Sequence, residues 1–192
     1  MNQTDKTPNL EAPAQQVIED FGREWKRFDQ SKVDHAGLQD RFTQYFSVFD
    51  WDRLPDDPVG FDLGCGSGRW ASFVAPKVHT LHCIEPSEAI DVAKSLLQGS
   101  SNTVFHKTPV EDFPLEPNSM DFGYSLGVLH HVQDTQEAMN KCVEALKPGA
   151  PFLVYLYYSF ENRPLWFRAI WHMSDQLRRV IATMPPRPKH LV

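Results

Sequence analysis

A glycine-rich turn followed by an acidic residue is the pattern in this sequence that most directly indicates chemistry. The turn, residues 62–68, reads DLGCGSG and comes after a short apolar run, and Glu85 ends the next such run. Glycines let a backbone turn sharply and approach a ligand closely. An acidic residue at the end of the second strand can accept hydrogen bonds from both ribose hydroxyls of an adenosine-containing ligand. Together they predict a nucleoside site, with a purely structural turn as the alternative.

The spacing of the glycines indicates which kind of nucleoside ligand fits. A dinucleotide fingerprint needs G-x-G-x-x-G, but here the last position is Arg69 and the third glycine falls one residue earlier, at Gly68. Without a glycine at position 69, and with an aspartate at position 62, a pyrophosphate cradle is disfavoured. A phosphate-free ligand that carries a carboxylate fits better.

The turn resembles motif I of class I S-adenosylmethionine-dependent methyltransferases. The resemblance covers about residues 59–157 and continues through Glu85, VEDFP at 110–114, NSMD at 118–121, SLGVLHHV at 125–132 and LKPGA at 146–150. Order and spacing are similar to the small-molecule branch that includes ubiquinone and menaquinone biosynthesis enzymes. The resemblance implies a Rossmann-like fold, S-adenosylmethionine as cofactor, S-adenosylhomocysteine as product, and in-line transfer of the sulfonium methyl to a small-molecule acceptor.

By this resemblance, the cofactor-binding residues are expected to be Asp62, Gly64, Cys65, Gly66, Gly68, Glu85, Pro86, Val110, Glu111 and Leu126. The first two glycines of the turn would lie against the methionine moiety, and Glu85 would hold the ribose. Val110 and Glu111 would border the adenine, and Leu126 would line the pocket near the sulfonium. Family members usually carry an aspartate at the position of Pro109, where it pairs with the adenine amino group, so adenine recognition here must use backbone atoms or another side chain.

Two further groups are candidates for the chemistry itself. A base is needed only for an acceptor that arrives protonated. Of the adjacent pair His130 and His131, the second is the better candidate for this base, because the following helix would orient it inward. Simple packing or helix capping by one of these histidines is the alternative.

Trp25 lies in EWKRF at 24–28, which is similar to the N-terminal helix that closes over the cofactor in bacterial members of the branch. It is expected to contact the cofactor as part of a lid, with ordinary amphipathic packing as the alternative.

Alternating strands and helices must position these residues. The pattern predicts strands at 59–63, 80–84, 102–106, 121–126 and 150–157, and helices at 70–75, 87–97 and 135–146. Such alternation predicts an α/β fold with a Rossmann-like parallel sheet and helices on both faces. The predicted domain organisation is a disordered lead-in at 1–16, an N-terminal helical lid at 17–54, the α/β core at 55–158 and a basic amphipathic helix at 159–192.

Composition argues against several other classes of protein. The 192 residues are 41% hydrophobic and 23% charged, as in one globular domain. The N-terminus lacks the apolar stretch of a secretory signal, and no apolar run approaches the roughly 18 residues that span a bilayer, so a cytoplasmic location is expected.

Neither the three cysteines nor the eight histidines have metal-ligand spacing, so no metal is expected. The net charge of −6 argues against nucleic acid as the main partner.

The last segment is different in charge and pattern. Residues 161–192 hold six basic and two acidic side chains, a net of +4, and apolar residues recur there at helical spacing. Because the resembled family closes its sheet with two further strands, the C-terminal strands are expected to be missing or truncated, leaving the fifth strand as an apolar edge. Three explanations stay open: a fragment of a longer protein, which is favoured; an edge shielded by this helix or by a second subunit; or a helix lying on a membrane surface.

Three functions follow from these observations. The complete turn, Glu85 and the HHV element favour a small-molecule methyltransferase. The missing strands favour a truncated or inactive cofactor-binding module that acts with a partner. An NAD-dependent oxidoreductase is a distant third, because of Arg69 and because no second nucleotide-binding half is visible.

Overall fold

A computed structural model describes residues 35–157 and, in the C-terminal segment, residues 164, 166–167, 169–171, 173–174 and 176. The chain forms two compact units, Met1–Leu156 and Tyr157–Val192. The predicted lead-in, residues 17–34 of the predicted lid including Trp25, and most of the basic segment lie outside the described residues.

The first unit is built on five parallel strands in the order β3-β2-β1-β4-β5. They are β1 Val59–Leu63, β2 Thr80–Ile84, β3 Thr103–His106, β4 Phe122–Leu126 and β5 Phe152–Tyr155. The bounds of β1 and β2 coincide with the sequence prediction. β5 begins later than predicted, because Ala150 donates its N–H to the Lys147 carbonyl in the preceding turn and Pro151 has no N–H to offer a neighbouring strand.

Four helices are described in this unit: α1 His35–Tyr45, α2 Ala71–Val74, α3 Ala89–Leu96 and α4 Thr135–Ala145. α3 begins two residues after the predicted start, since the Ser87 hydroxyl accepts the Ala89 N–H ahead of the first turn. α4 begins as predicted at Thr135, after Asp134, whose side chain accepts the Glu137 N–H at 2.9 Å as an N-cap. In chain order, α2, α3 and α4 each lie between two parallel strands, as the alternation predicted.

Each face of the sheet contributes to its own buried core. One core joins Phe122 and Tyr124 of β4 to side chains of α1, α2 and α3, and the other joins Phe61 of β1 to Cys142 and the alanines of α4. The parallel sheet is therefore covered on both faces, and the predicted Rossmann-like α/β fold is confirmed. Within the described residues, β5 has no strand on its outer edge.

The described part of the predicted lid has a packing role. Phe42 of α1 and Phe46 and Phe49, which follow it, are buried against the sheet, and the Phe46 ring meets Tyr124 edge-on at 5.3 Å. A 3-10 turn, Trp51–Arg53, then leads towards β1. These aromatic side chains fix α1 to the sheet, because burying each large ring contributes about 1.5–3 kcal/mol.

Candidate functional site

The glycine turn lies at the carboxyl end of β1, where the strand order reverses. From β1 the chain builds β2 and β3 on one side and later β4 and β5 on the other. In open parallel sheets, ligands bind at such a switch point. Gly64 has φ +76°, and a Cβ placed on it would come within 2.3 Å of the Val128 side chain. The loops that follow β1 and β4 therefore touch, and only glycine fits at this contact.

Backbone hydrogen bonds fix the shape of the turn. The N–H groups of Gly64 and Cys65 both donate to the Ile84 carbonyl, at 2.8 and 3.2 Å, which ties the turn to the end of β2. Gly68 has φ +80°, and a Cβ there would lie 3.0 Å from Ala93 of α3. The glycine at position 68 thus lets the turn and α3 approach closely.

Glu85 is held from two sides at the end of β2. Its Oε2 accepts the Gly66 N–H at 3.1 Å and its Oε1 accepts the Ser87 N–H at 3.0 Å. The side chain is buried, and Pro86 beside it is half-buried. Each carboxylate oxygen can accept more than one hydrogen bond. Glu85 is therefore fixed in position and can still accept from ligand hydroxyls.

Asp62 is a buried carboxyl whose environment is unusual. It pairs with Cys83 of β2 and Tyr124 of β4 in the sheet, so these three side chains share one face. Burial raises the pKa of Asp62 to about 8; the Tyr124 hydroxyl lowers it, and the charge of Glu85 raises it further. A carboxyl with such a pKa is mostly protonated at neutral pH.

Two buried polar atoms at the turn lack hydrogen-bond partners among the described residues: Asp62 Oδ2 and the Ser67 hydroxyl. An unsatisfied buried polar group costs about 1–3 kcal/mol, and such a group in a native structure points to a functional role or to a bound water or ion. Cys65, between them in the chain, is buried, and its pKa is raised by a hydrogen bond with Cys83 and by burial, so it stays a neutral thiol. The turn therefore offers an acceptor and a hydroxyl to a molecule that carries both a donor and an acceptor.

The residues expected at the adenine follow β3. Val110 and Glu111 lie in a 3-10 turn, Val110–Asp112. The Val110 side chain is buried in the core that includes Ile84 and Leu129, whereas the Glu111 side chain is exposed and its carbonyl accepts from the Lys141 ammonium. Pro109 is buried with φ −75°. Both expected residues thus stand at the same edge of the sheet as the glycine turn.

The residues expected near the sulfonium lie at the carboxyl end of β4 or just after it. Leu126 is half-buried and packs against the core beneath the turn. His130 and His131 lie in a 3-10 turn, Leu129–His131, with ring centroids 4.0 Å apart. Burial lowers the pKa of both imidazoles, and for His130 the neighbouring His131 lowers it further. Both rings are therefore neutral at pH 7 and able to accept a proton, and His131 is the more exposed of the two.

Three features of this edge were not predicted as site residues. Ser67 stands inside the recognised motif, so its presence was visible although its burial was not. Tyr124 neighbours Asp62 only because β4 pairs with β1. Tyr45 of α1 contacts the rings of Trp70 and Tyr155 at 5.4 and 5.1 Å, and nothing local in the sequence indicates that contact.

A separate cavity of about 620 Å³ lies at the amino ends of β4 and β5, lined by residues that include Asp121, Lys147 and Phe152. It is at the opposite edge of the sheet from the glycine turn and includes no predicted site residue.

Among the described residues, no group of three or more potential ligands is arranged to hold a metal ion. No helix in the part that the structure describes is long and apolar enough to cross a membrane.

Comparison with known proteins agrees with this geometry. Residues 61–154 match the family described as a methyltransferase domain. The chain is 30% identical over 105 residues to a ubiquinone biosynthesis O-methyltransferase of Saccharophagus degradans, covering 53% of this chain and 43% of that protein. It is 28% identical over 99 residues to phosphoethanolamine N-methyltransferase 2 of Caenorhabditis elegans, covering 52% of this chain and 23% of that protein. These matches span less than half the length of either relative.

A solved structure shows the same fold. The N-methyltransferase NodS from Bradyrhizobium japonicum, in complex with S-adenosyl-L-homocysteine, superposes with a TM-score of 0.60 at 22% identity, covering 71% of each chain. Fold, motif order and family match define a class I methyltransferase domain. Residues 61–154 thus form a methyltransferase domain of the S-adenosylmethionine-dependent type, whose cofactor is S-adenosylmethionine and whose cofactor product is S-adenosylhomocysteine.

Proposed function

We propose that this chain binds S-adenosylmethionine at the glycine turn and transfers its methyl group to a small-molecule acceptor. One observation carries the proposal: Asp62 Oδ2 and the Ser67 hydroxyl are buried beside the turn without partners among the described residues. An amino-acid tail carries an ammonium that donates and a carboxylate that accepts, so it satisfies both atoms at once. A pyrophosphate only accepts hydrogen bonds and is negatively charged, so it would bond to the serine but would oppose ionisation of the Asp62 carboxyl, which an ammonium favours.

The nucleoside half of the cofactor is assigned to the neighbouring strand ends. Glu85 accepts from the ribose hydroxyls while the N–H groups of Gly66 and Ser87 hold its carboxylate in place. Pro86 adjoins the ribose, and Val110 and Glu111 border the adenine. The side chain of Pro109 cannot donate or accept a hydrogen bond, so backbone atoms near Val110 supply the polar recognition of the base.

The reaction itself asks for positioning more than for covalent help. When bound, the cofactor supplies an electrophilic methyl group on a sulfonium that departs as a neutral thioether. Leu126 lines the pocket at that end. Holding two reactants in line contributes about 7–11 kcal/mol to lowering a barrier. His131 accepts the proton from an acceptor that arrives protonated, because its lowered pKa leaves it neutral at pH 7.

Calorimetry of the full chain with three ligands tests the binding proposal. S-adenosylmethionine and S-adenosylhomocysteine should bind, and NAD should not. A crystal soaked in S-adenosylhomocysteine should then show its amino-acid tail at Asp62 and Ser67. A crevice that stays empty at saturating ligand, or NAD binding as tightly as S-adenosylmethionine, would contradict the proposal.

The assignment of His131 is tested by separating binding from turnover. His131→Ala should lower turnover with a phenolic acceptor while leaving the affinity for S-adenosylmethionine unchanged. His79→Ala, an exposed histidine at the amino end of β2, is the matched control. Unchanged turnover in His131→Ala would remove the base from the mechanism.

A second candidate function is a cofactor-binding module that acts through a partner without transferring methyl groups itself. It is favoured by the short coverage of the curated relatives, of which the chain matches less than half. Labelled methyl transfer to a panel of phenols and amines discriminates the two. Tight cofactor binding without a labelled product from any acceptor would favour the module.

A further inference from the structure

The second compact unit carries an exposed apolar stripe on a helix. The described residues 166–167, 169–171, 173–174 and 176 are helical. Trp166, Ile170 and Met173 are 64%, 59% and 74% exposed. Their spacing of four and then three residues places them on one face of the helix. Three large apolar side chains are thus in contact with water along one line.

A neighbouring face of the same helix is more shielded. Phe167, Trp171 and Ser174 have the same spacing, one position further on, and each is only partly exposed. The helix begins near Pro164, whose carbonyl accepts the Phe167 N–H at 3.0 Å. The exposed stripe is therefore a separate face of this helix, and contiguous apolar patches on a protein surface mark contact sites.

The charge of the segment indicates what would cover the stripe. Residues 161–192 have a net charge of +4, while residues 1–160 have −10. A second copy of the same helix would bring two positive segments together, which opposes that pairing. A net positive charge in a segment that carries a tryptophan-containing apolar face is typical of helices that lie in the interface of an anionic membrane.

We propose that this helix binds the surface of a membrane that contains anionic lipid. Trp166, Ile170 and Met173 enter the boundary between headgroups and acyl chains, and the positive charge of the segment is attracted to the headgroups. The helix lies on the bilayer, consistent with the finding that no described helix can cross one. Each basic residue near an anionic surface contributes about 1 kcal/mol, so removing one should weaken binding about fivefold.

Vesicle flotation of the full chain tests the proposal. The chain should float with vesicles of phosphatidylcholine and phosphatidylglycerol, bind vesicles of phosphatidylcholine alone at least about tenfold more weakly, and lose binding as salt is raised. Absence of flotation with the anionic vesicles would overturn the proposal. So would equal binding to both vesicles, because the charge would then contribute nothing.

Substitutions locate the contact. Trp166→Ser combined with Ile170→Ser should reduce flotation at least about tenfold, since two large apolar contacts are lost. Val143→Ser is the matched control, because Val143 is an exposed apolar residue of α4 in the other unit. Both variants should keep the circular dichroism spectrum and the unfolding midpoint of the unmodified chain, because all three side chains are exposed.

An alternative occupant is visible in the same experiment. Light scattering could instead show that the unmodified chain is a dimer and that the double variant Trp166→Ser, Ile170→Ser is a monomer. If the chain also binds no vesicle of either composition, the stripe contacts a second copy and the membrane proposal is wrong. Arg168→Gln is a further variant that leaves the apolar stripe unchanged. It should weaken binding to anionic vesicles about fivefold, and unchanged binding there would also contradict the role of charge.

Discussion

The Gly66 N–H donates to Glu85 Oε2 at 3.1 Å, so the glycine turn and the acidic residue predicted to hold the ribose are hydrogen-bonded to each other. The bond connects the end of β1 to the end of β2 at the switch point of the sheet. In the proposed function, the residues for the amino-acid tail and for the ribose therefore form one unit. A change at either residue should affect the binding of both parts of the cofactor.

Replacing Glu85 by glutamine should weaken S-adenosylmethionine binding by about tenfold or more. The amide keeps the size of the side chain but turns one of its two acceptor oxygens into a donor, and hydrogen bonds to charged groups contribute about 1.5–3 kcal/mol. Calorimetry gives the dissociation constant. Glu88→Gln is the control, because Glu88 is exposed and pairs with Lys107 away from the turn. Equal affinities in the two variants would argue against ribose recognition by Glu85.

Replacing Ser67 by alanine should separate cofactor binding from stability. The Ser67 hydroxyl is buried and makes no hydrogen bond within the described residues, so its loss should leave the free energy of unfolding unchanged or slightly increased. The affinity for S-adenosylmethionine should fall about tenfold, because a hydrogen bond to the carboxylate is lost. Ser72→Ala, which removes a hydroxyl that donates to the Arg69 carbonyl, should leave the affinity unchanged. A Ser67→Ala variant that binds normally would remove this contact from the proposed site.

Gly64 and Gly127 allow backbone strain to be separated from steric overlap. Both have φ near +77°, but a Cβ on Gly64 would overlap Val128 at 2.3 Å, whereas a Cβ on Gly127 would meet no atom of the described residues within 4 Å. Gly127→Ala should therefore cost about 1–2 kcal/mol from the left-handed conformation alone. Gly64→Ala should lower the free energy of unfolding by about 1–3 kcal/mol more, because the added methyl group would overlap the Val128 side chain. Urea denaturation measures both, and equal losses would show that the two loops separate easily.

The raised pKa of Asp62 should make stability fall as pH rises. The folded carboxyl has a pKa of about 8, well above the unfolded value of about 3.9. Between these two pH values the native state keeps a proton that the unfolded state has lost. The free energy of unfolding contributed by this group is therefore largest at low pH and falls towards pH 8, by at most about 1.4 kcal/mol per pH unit. Asp62→Asn should flatten that slope when unfolding is measured at pH 5, 6 and 7.

The exposed residue Asp56 supplies the control for this titration, since Asp56→Asn should leave the slope as it is in the unmodified chain. A slope that survives in Asp62→Asn would assign the pH dependence to other groups. The same buried carboxyl should release a proton when the cofactor ammonium binds beside it, which calorimetry in two buffers of different ionisation enthalpy would detect at pH 7.

Local sequence was enough to locate the strands and the candidate site residues that stand at their ends. β1 and β2 have the predicted bounds because each is a short apolar run between turn residues, and Glu85 was expected at the end of β2 for the same reason. The positive φ of Gly64 and Gly68 is a local backbone requirement as well. Helix ends were less accurate, since a single hydroxyl such as that of Ser87 shifts the first turn of α3.

Contacts between distant segments were decided only by the tertiary structure. The sequence does not encode locally that β4 pairs with β1, yet that pairing places Tyr124 beside Asp62 and Val128 against Gly64. Burial of the Ser67 hydroxyl and the pKa of Asp62 depend on the same assembly, because both arise from what surrounds the side chain. Residue types and their spacing thus determined which groups are available. Long-range packing determined which of them are buried and, in the part of the chain that the structure describes, lack a hydrogen-bond partner.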